Sequence, residues 1–279
     1  IPVRVGHINA NVPRTGGHDG IPRAALTHVL EADEPLPGAP AEREDQVSQA
    51  IAAHFAPFVS NGAAVQAGIG KLPGVCLRAL QSKRDLRVHS GLIGDWAVDL
   101  LEAGALADAP IVTGLALGSE RLYGVISSPR FSFRPVAHTH SLLEMSKLQH
   151  FVTLNSALEI DLLGQGHSEA GADGLSSGPG GSLDFARGAK LAGGLRVIVL
   201  PSSAARGAVS RIVAAGAGRG PVTLSRFDID AVITEHGAAD LRGLSHDARA
   251  ARLVAIADPA HRAGLSEAWR DYRARVLKD

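Results

Sequence analysis

In the stretch LRVHSGLIGDW (residues 86–96), Leu86 and Val88 alternate as a short buried strand over 86–89. The strand ends on the polar pair His89-Ser90, turns on Gly91 and Gly94, and gives way to a helix at 95. The same unit recurs on either side. Strands at 63–67 and 110–116 and helices at 73–81, 95–103 and 118–126 continue the alternation. They lie behind a helix at 42–58 whose Val47, Ile51, Phe55 and Phe58 share one face. Apolar strand runs alternating with helices require parallel strands, right-handed crossovers and helices on both faces. The expected fold is α/β, with an open, mostly parallel sheet flanked by helices. Strand tips of this kind are where such folds place reacting groups, yet this tip offers a histidine, a serine and a glycine, with no carboxylate.

Farther along, strands are expected at 150–164, 195–201, 220–224 and 230–237, and two helices over 246–276 split at Asp258-Pro259. Between the first two strands lies GQGHSEAGADGLSSGPGGSLDF (164–185), too poor in apolar residues for a core element and too long for an idle connection, so a functional or disordered loop is expected. At the start, a short strand at 3–8 is followed by the Pro-, Gly- and acid-rich EADEPLPGAPAERED (31–45), which reads as a linker. The chain opens IPVRVGHINANVPRTGG without methionine, the pattern of a trimmed or processed form of something longer. The expected organisation is a tail of a preceding domain plus linker over 1–44 and one α/β domain over 45–279.

Bulk properties exclude several function classes. At 279 residues the chain can bury a large core. Lys+Arg and Asp+Glu number 28 each and no basic run of five occurs, so no nucleic-acid partner is expected. A single cysteine excludes an internal disulfide framework, and the start carries no secretory pattern, so a reducing, cytoplasmic setting is expected. No segment reaches the roughly 20 apolar residues that span a bilayer, so no membrane partner is expected.

Several motifs carry both a chemical and a plain reading. AGIGKLPG (67–74) puts glycines after an apolar strand and a proline in the first turn of a helix, where amides of the Gly68-Ile69-Gly70 turn can face a phosphate, a thioester oxygen or a carboxylate. The G-x-G-x-x-x-G spacing is not a dinucleotide fingerprint, and leucine after Lys71 rules out a phosphate-binding NTPase loop. A tight turn without ligand is an equal reading. GLSSG (174–178) matches a nucleophile elbow around Ser176 but lacks the flanking strand and helix, so it reads as a chance match. HTH (138–140) on a strand would project His138 and His140 to one side, but no third ligand has metal spacing, and ordinary polar strand positions are the stronger reading; no metal is expected. Cys76 reads as a small buried side chain. Glu235 and His236 end an apolar strand, placed for acid–base work or for pinning a loop.

Taken together, VQAGIGKLPG, LRVHSG, ALGSERLY, LNSALEIDLLGQ, SGPGGSLDFARGA, LPSSAARGAVSRIV, VITEHGAADLRG and IADPAHR resemble, in this order, the acetyl-CoA hydrolase/transferase family of type I CoA-transferases. The resemblance spans about residues 45–265. INANVPRT (8–15) is similar to the close of that family's first domain. The resemblance implies a CoA-transferase/NagB-like second domain, coenzyme A or acyl-CoA as substrate rather than a tightly bound cofactor, and a small carboxylate as the other substrate. It also implies a missing first domain or a homo-oligomer as partner. Family members use a glutamate that attacks the acyl-CoA carbonyl, giving an anhydride and then a glutamyl-CoA thioester. By the same resemblance, amides at Gly68, Ile69, Gly70, Gly180, Gly181 and Ser182 would hold the acyl-CoA and its developing oxyanion.

One position departs from the family. Where its HSE or HTE carries the nucleophile, this chain has HSG, with Gly91 at the glutamate's place. An anhydride cannot form on glycine. Three expectations follow: water activated by a nearby group, giving hydrolysis; acyl-CoA binding without turnover, as a non-catalytic or partner subunit; or a substitute carboxylate, Glu169 or Glu235, of which Glu169 is the weaker because it falls in a loop expected to be flexible. A substitute nucleophile would have to come within about 3–3.5 Å of the carbonyl.

Overall fold

The computed structural model describes residues 1–18, 20–38, 44–171 and 173–276. β1 (Val5–Asn9) and β2 (His28–Ala32) form a parallel pair apart from the main sheet, β2 being an element the sequence did not suggest. α1 (Gln46–Phe55) starts at a capping box: the Asp45 carboxylate accepts the Ser48 N–H at 2.7 Å, and the Ser48 hydroxyl accepts the Asp45 N–H at 3.0 Å. Positions 42 and 43 of the helix expected from 42 lie outside the described residues.

The expected alternation follows as β3 (Ala64–Ala67), α2 (Lys71–Arg78), β4 (Arg87–Ile93), α3 (Asp95–Glu102), β5 (Ile111–Ala116), α4 (Glu120–Val125) and β6 (Phe131–Phe133). Then come α5 (Val136–Thr139), α6 (Leu142–Met145), β7 (Val152–Ser156), β8 (Glu159–Asp161), β9 (Gly166–His167), β10 (Ala170–Gly171) and β11 (Gly174–Leu175). The chain continues through α7 (Ser182–Leu191), β12 (Leu195–Val199), β13 (Ser203–Ala204), β14 (Val209–Ser210), β15 (Ile212–Val213), β16 (Ala231–Thr234) and β17 (Gly237–Asp240). It closes with α8 (His246–Ala255) and α9 (Arg262–Val276), divided by a short 3-10 turn at Pro259–His261 as Asp258-Pro259 predicted.

The main sheet has the order β17-β16-β12-β7-β3-β4-β5-β6 and is parallel except for the β16–β17 hairpin. Alternating side chains divide between two layers, as a strand buried on both faces requires. Val65, Val88, Val197 and Val199 join Ile51, Phe55, Leu77 and Trp96 in one core, under α1 to α3. Ile198 and Val232 join Leu253 and Trp269 in a second core, while Ala64 packs with Met145, Phe151 and Phe185 in a third. From β3 the chain builds outward through β4, β5 and β6, then returns to place β7 on β3's other side. The sheet therefore changes direction at β3, and the crevice beyond the strand ends at such a switch point is where open α/β sheets bind ligands.

Four sequence expectations are corrected. The stretch 150–164 is two strands, because the chain breaks after Ser156 and β8 leaves the main sheet to pair with β9 and β15. No strand forms at 220–224: Gly220 takes φ +70°, Pro221 follows, and only a bridge from Leu224 to Gly166 remains. The glycine-dense 164–185 is not a bare loop; it holds β9, the β10–β11 hairpin and the start of α7. The HTH segment is the end of a one-turn helix opened by Pro135, not a strand, so its two imidazoles do not share a face.

Candidate active site

The strand read over 86–89 runs on to Ile93, which puts Gly91 inside β4 rather than in the turn after it. Its register with β5 pairs His89 with Val112, Ser90 with Thr113 and Leu92 with Leu115. The backbone of Gly91 is outside the left-handed region, so conformation does not demand glycine there. The space a side chain would take is held by two rings. A Cβ at Gly91 would stand 3.1 Å from Cε1 and 3.3 Å from Nε2 of His140, and 3.4 Å from Cε2 of Phe185.

His140 reaches this place from the C-terminal end of α5. Two residues before Gly91, the buried His89 bonds through Nε2 to the Thr139 carbonyl at 2.9 Å, tying the end of α5 to β4. Burial pushes the His89 pKa down, against the bond to the Thr139 carbonyl, which favours the charged ring. Thr139 is fully buried, and its hydroxyl lies 2.9 Å from Nδ1 of His140. The other side of the His140 ring packs on Phe185, with centroids 4.7 Å apart. A Cβ on Gly181 would overlap His140 Nε2, so a side chain there would displace the imidazole. Gly181 is the N-cap of α7, Gly180 before it takes φ +56°, and Ser182 opens the helix with its hydroxyl donating to the Pro179 carbonyl at 3.1 Å. Gly91, Gly180, Gly181 and Ser182 are thus brought together on the α5–α7 side of the sheet, with His140 at their centre.

The Gly68-Ile69-Gly70 turn serves the other side. Together with Gly74, Arg78, Leu92, Gly94, Asp95, Trp96 and Leu117 it lines a cavity of about 200 Å³ at the ends of β3 and β4. The Gly68 N–H is spent inside the sheet, donating to the Leu154 carbonyl at 2.7 Å. Among the described residues no hydrogen bond engages the Ile69 or Gly70 N–H, so these two are the amides this turn can offer to a ligand. Gly70, at φ +115°, caps α2, and Ile69 is exposed at the cavity mouth. Asp95 on the cavity wall is held by Ser119, whose N–H donates at 3.1 Å and whose hydroxyl donates at 2.8 Å.

The two candidate carboxylates lie in other surroundings. Glu169 is buried in the bend between β9 and β10: its carboxylate accepts the Thr223 hydroxyl at 2.9 Å, and its carbonyl accepts Ser176 N–H at 2.8 Å. Glu235 occupies the two-residue turn between β16 and β17 and accepts both the Ser202 N–H at 2.9 Å and the Ser202 hydroxyl at 2.7 Å. Both side chains have the partners of pinning groups. Ser176 hydrogen-bonds to the Glu169 carbonyl at 3.2 Å and is no elbow. Cys76 is fully buried and its thiol is pushed up to about 12 by desolvation, as expected of a packing residue. Among the described residues no group of three or more metal-ligating side chains occurs, and no helix is long and apolar enough to cross a membrane. Sequence reasoning missed His140 as a site group because a four-residue helix behind Pro135 leaves too short a pattern to show which way its last side chain points.

An open, mostly parallel sheet with a glycine turn and a cavity at its switch point defines an α/β protein of the ligand-binding kind. The acetyl-CoA hydrolase/transferase C-terminal domain matches residues 118–269, over half of the chain, and the chain belongs to this family. It is 36% identical to the succinyl-CoA:cyclohexane-1-carboxylate CoA transferase of Geobacter metallireducens, over 95% of this chain and 63% of that protein. It superposes on the crystal structure of RipA from Yersinia pestis with a TM-score of 0.89 at 31% identity, covering 98% of this chain and 63% of that one. The structure of the 4-hydroxybutyrate CoA-transferase of Porphyromonas gingivalis gives 0.82 at 32% identity, with 98% and 67% covered. The chain therefore spans somewhat less than two thirds of the first two of these proteins.

Proposed function

We propose that this chain carries the acyl-CoA site of a short-chain acyl-CoA transferase or thioesterase that works without a glutamyl anhydride. The observation that supports it is Gly91: a position without a side chain in a central strand, facing the His140 ring that also packs against Gly181. Coenzyme A enters as substrate, and a small carboxylate is the acceptor or product. Residues 1–44 are the tail of a preceding domain. Support comes from β1 and β2, whose Val5 and Leu30 remain exposed on a two-stranded pair too small to be stable alone. Ile69 and Leu117, exposed at the cavity mouth, would be covered by that domain or by a second copy.

The test is to assay the chain and its Gly91→Glu variant for CoA transfer from acetyl-CoA to a panel of short carboxylates, with hydroxylamine trapping of any acyl or CoA adduct on the protein. The wild type is expected to give no glutamyl adduct; a trapped one on any residue refutes the proposal. A second reading, an acyl-CoA-binding subunit without turnover, is favoured by the engagement of Glu169 and Glu235 with Thr223 and Ser202. Calorimetric binding of acetyl-CoA without thiol release would select it.

A further inference from the structure

We infer that His140 is the general base of this site and that the reaction it supports is hydrolysis of an acyl-CoA thioester by water. The inference rests on the acyl-CoA site proposed above. Three observations carry it. The imidazole stands 3.1–3.3 Å from where a Gly91 side chain would begin, so it fills the place a side-chain nucleophile on β4 would need. Its Nδ1 lies 2.9 Å from the buried Thr139 hydroxyl, and in the tautomer that carries its proton on Nδ1 the Nε2 atom has the free lone pair a general base needs. Nε2 faces the Gly181 turn, and among the described residues it makes no hydrogen bond to protein.

The ring is also held as a base has to be. Phe185 supports one side, and the bond from His89 to the Thr139 carbonyl fixes the backbone from which it projects. Orientation of this kind is what makes a general base effective. His89 is a positioning residue, since its own Nε2 is spent on that bond.

The step balances with water as the only co-reactant. Nε2 takes a proton from water as the water oxygen bonds to the thioester carbonyl carbon, and the carbonyl pair moves onto oxygen. Collapse of the tetrahedral adduct re-forms the carbonyl and breaks the C–S bond. The sulfur leaves with the bonding pair and takes the proton from Nε2. The products are the free thiol of coenzyme A and a carboxylic acid, which ionises, and His140 returns to its starting state.

The experiment measures thiol release from acetyl-CoA and, by calorimetry, acetyl-CoA binding, for the full chain and for His140→Gln and His140→Ala. Expected are a fall in kcat of about 100-fold or more in both variants, a Kd within threefold of wild type, and partial recovery of His140→Ala by added imidazole. A normal solvent isotope effect on the wild-type kcat in deuterium oxide is expected as well, a readout that needs no variant to fold. Wild type that binds acetyl-CoA but releases no thiol overturns the role of His140 and leaves the binding site standing. So does a His140→Gln variant within threefold of the wild-type kcat. Wild type that neither binds nor cleaves acetyl-CoA overturns the underlying site, and His140's role with it.

Discussion

Replacing Glu235 tests whether this carboxylate is structural or chemical. It accepts two hydrogen bonds from one residue, the Ser202 N–H at 2.9 Å and the Ser202 hydroxyl at 2.7 Å, and its side chain is 17% exposed. Hydrogen bonds to a charged acceptor contribute about 1.5–3 kcal/mol each, and partial exposure argues for the low end. Glu235→Ala removes both and leaves the buried Ser202 without its acceptor, so the expected loss is about 3 kcal/mol. Glu235→Gln keeps one oxygen for the backbone N–H and lets the serine hydroxyl turn to accept from the amide, so about half that loss is expected. Urea unfolding followed by far-ultraviolet circular dichroism reads the difference, with the midpoint falling in the order wild type, Gln, Ala at constant m. A double-mutant cycle with Ser202→Ala should show coupling of about 1 kcal/mol or more. An alanine variant as stable as wild type but slower in thiol release would refute the pinning role and restore Glu235 as a reacting group.

Three further outcomes are expected. A Cβ on Gly194 would overlap the Phe151 carbonyl oxygen and lie 2.9 Å from its carbon, both backbone atoms that cannot turn aside. Gly194→Ala should therefore lower stability by about 3 kcal/mol, the upper range for overpacking, measured by thermal unfolding. Asp95→Ala leaves the Ser119 N–H and hydroxyl without their acceptor and should cost about 1–2 kcal/mol, typical of lost hydrogen bonds to a partly exposed carboxylate, in the same assay. Cys76, fully buried with its thiol pushed up to about 12, should resist Ellman's reagent in the native chain and titrate as one thiol in guanidinium; labelling of the native protein would contradict its burial.

The α/β alternation was legible because Val65, Val88, Val112 and Val197 sit in apolar runs of strand length separated by helical spacings. The break of α8 from α9 was legible for a local reason: Asp258 accepts the Ala260 N–H at 3.0 Å, and Pro259 opens the turn. What escaped depends on contacts distant in sequence. Glu169 lies in a polar, glycine-rich stretch that looks mobile, yet Thr223, fifty-four residues on, holds its carboxylate. The strand break after Ser156 follows from β8 finding partners in β9 and β15, which no periodicity in 150–164 records. At the candidate site the glycines were visible and the histidine between them was not. Glycine is conspicuous by type, whereas the direction of His140 is set by Pro135, His89 and Phe185 acting together.

The space in front of β4 has one volume and two claimants. A side chain at position 91 and the ring of His140 cannot both keep their best positions, and a side chain at 181 would contest the same ring. Substitutions at 91, 140 and 181 should therefore be non-additive, each deciding whether the next is tolerated. A carboxylate at 91 would fit better once 140 carries a smaller residue, so the order of exchange matters. Two different chemistries would then be separated on this scaffold by the allocation of a few cubic ångströms between neighbouring strands and helices, with no change of fold.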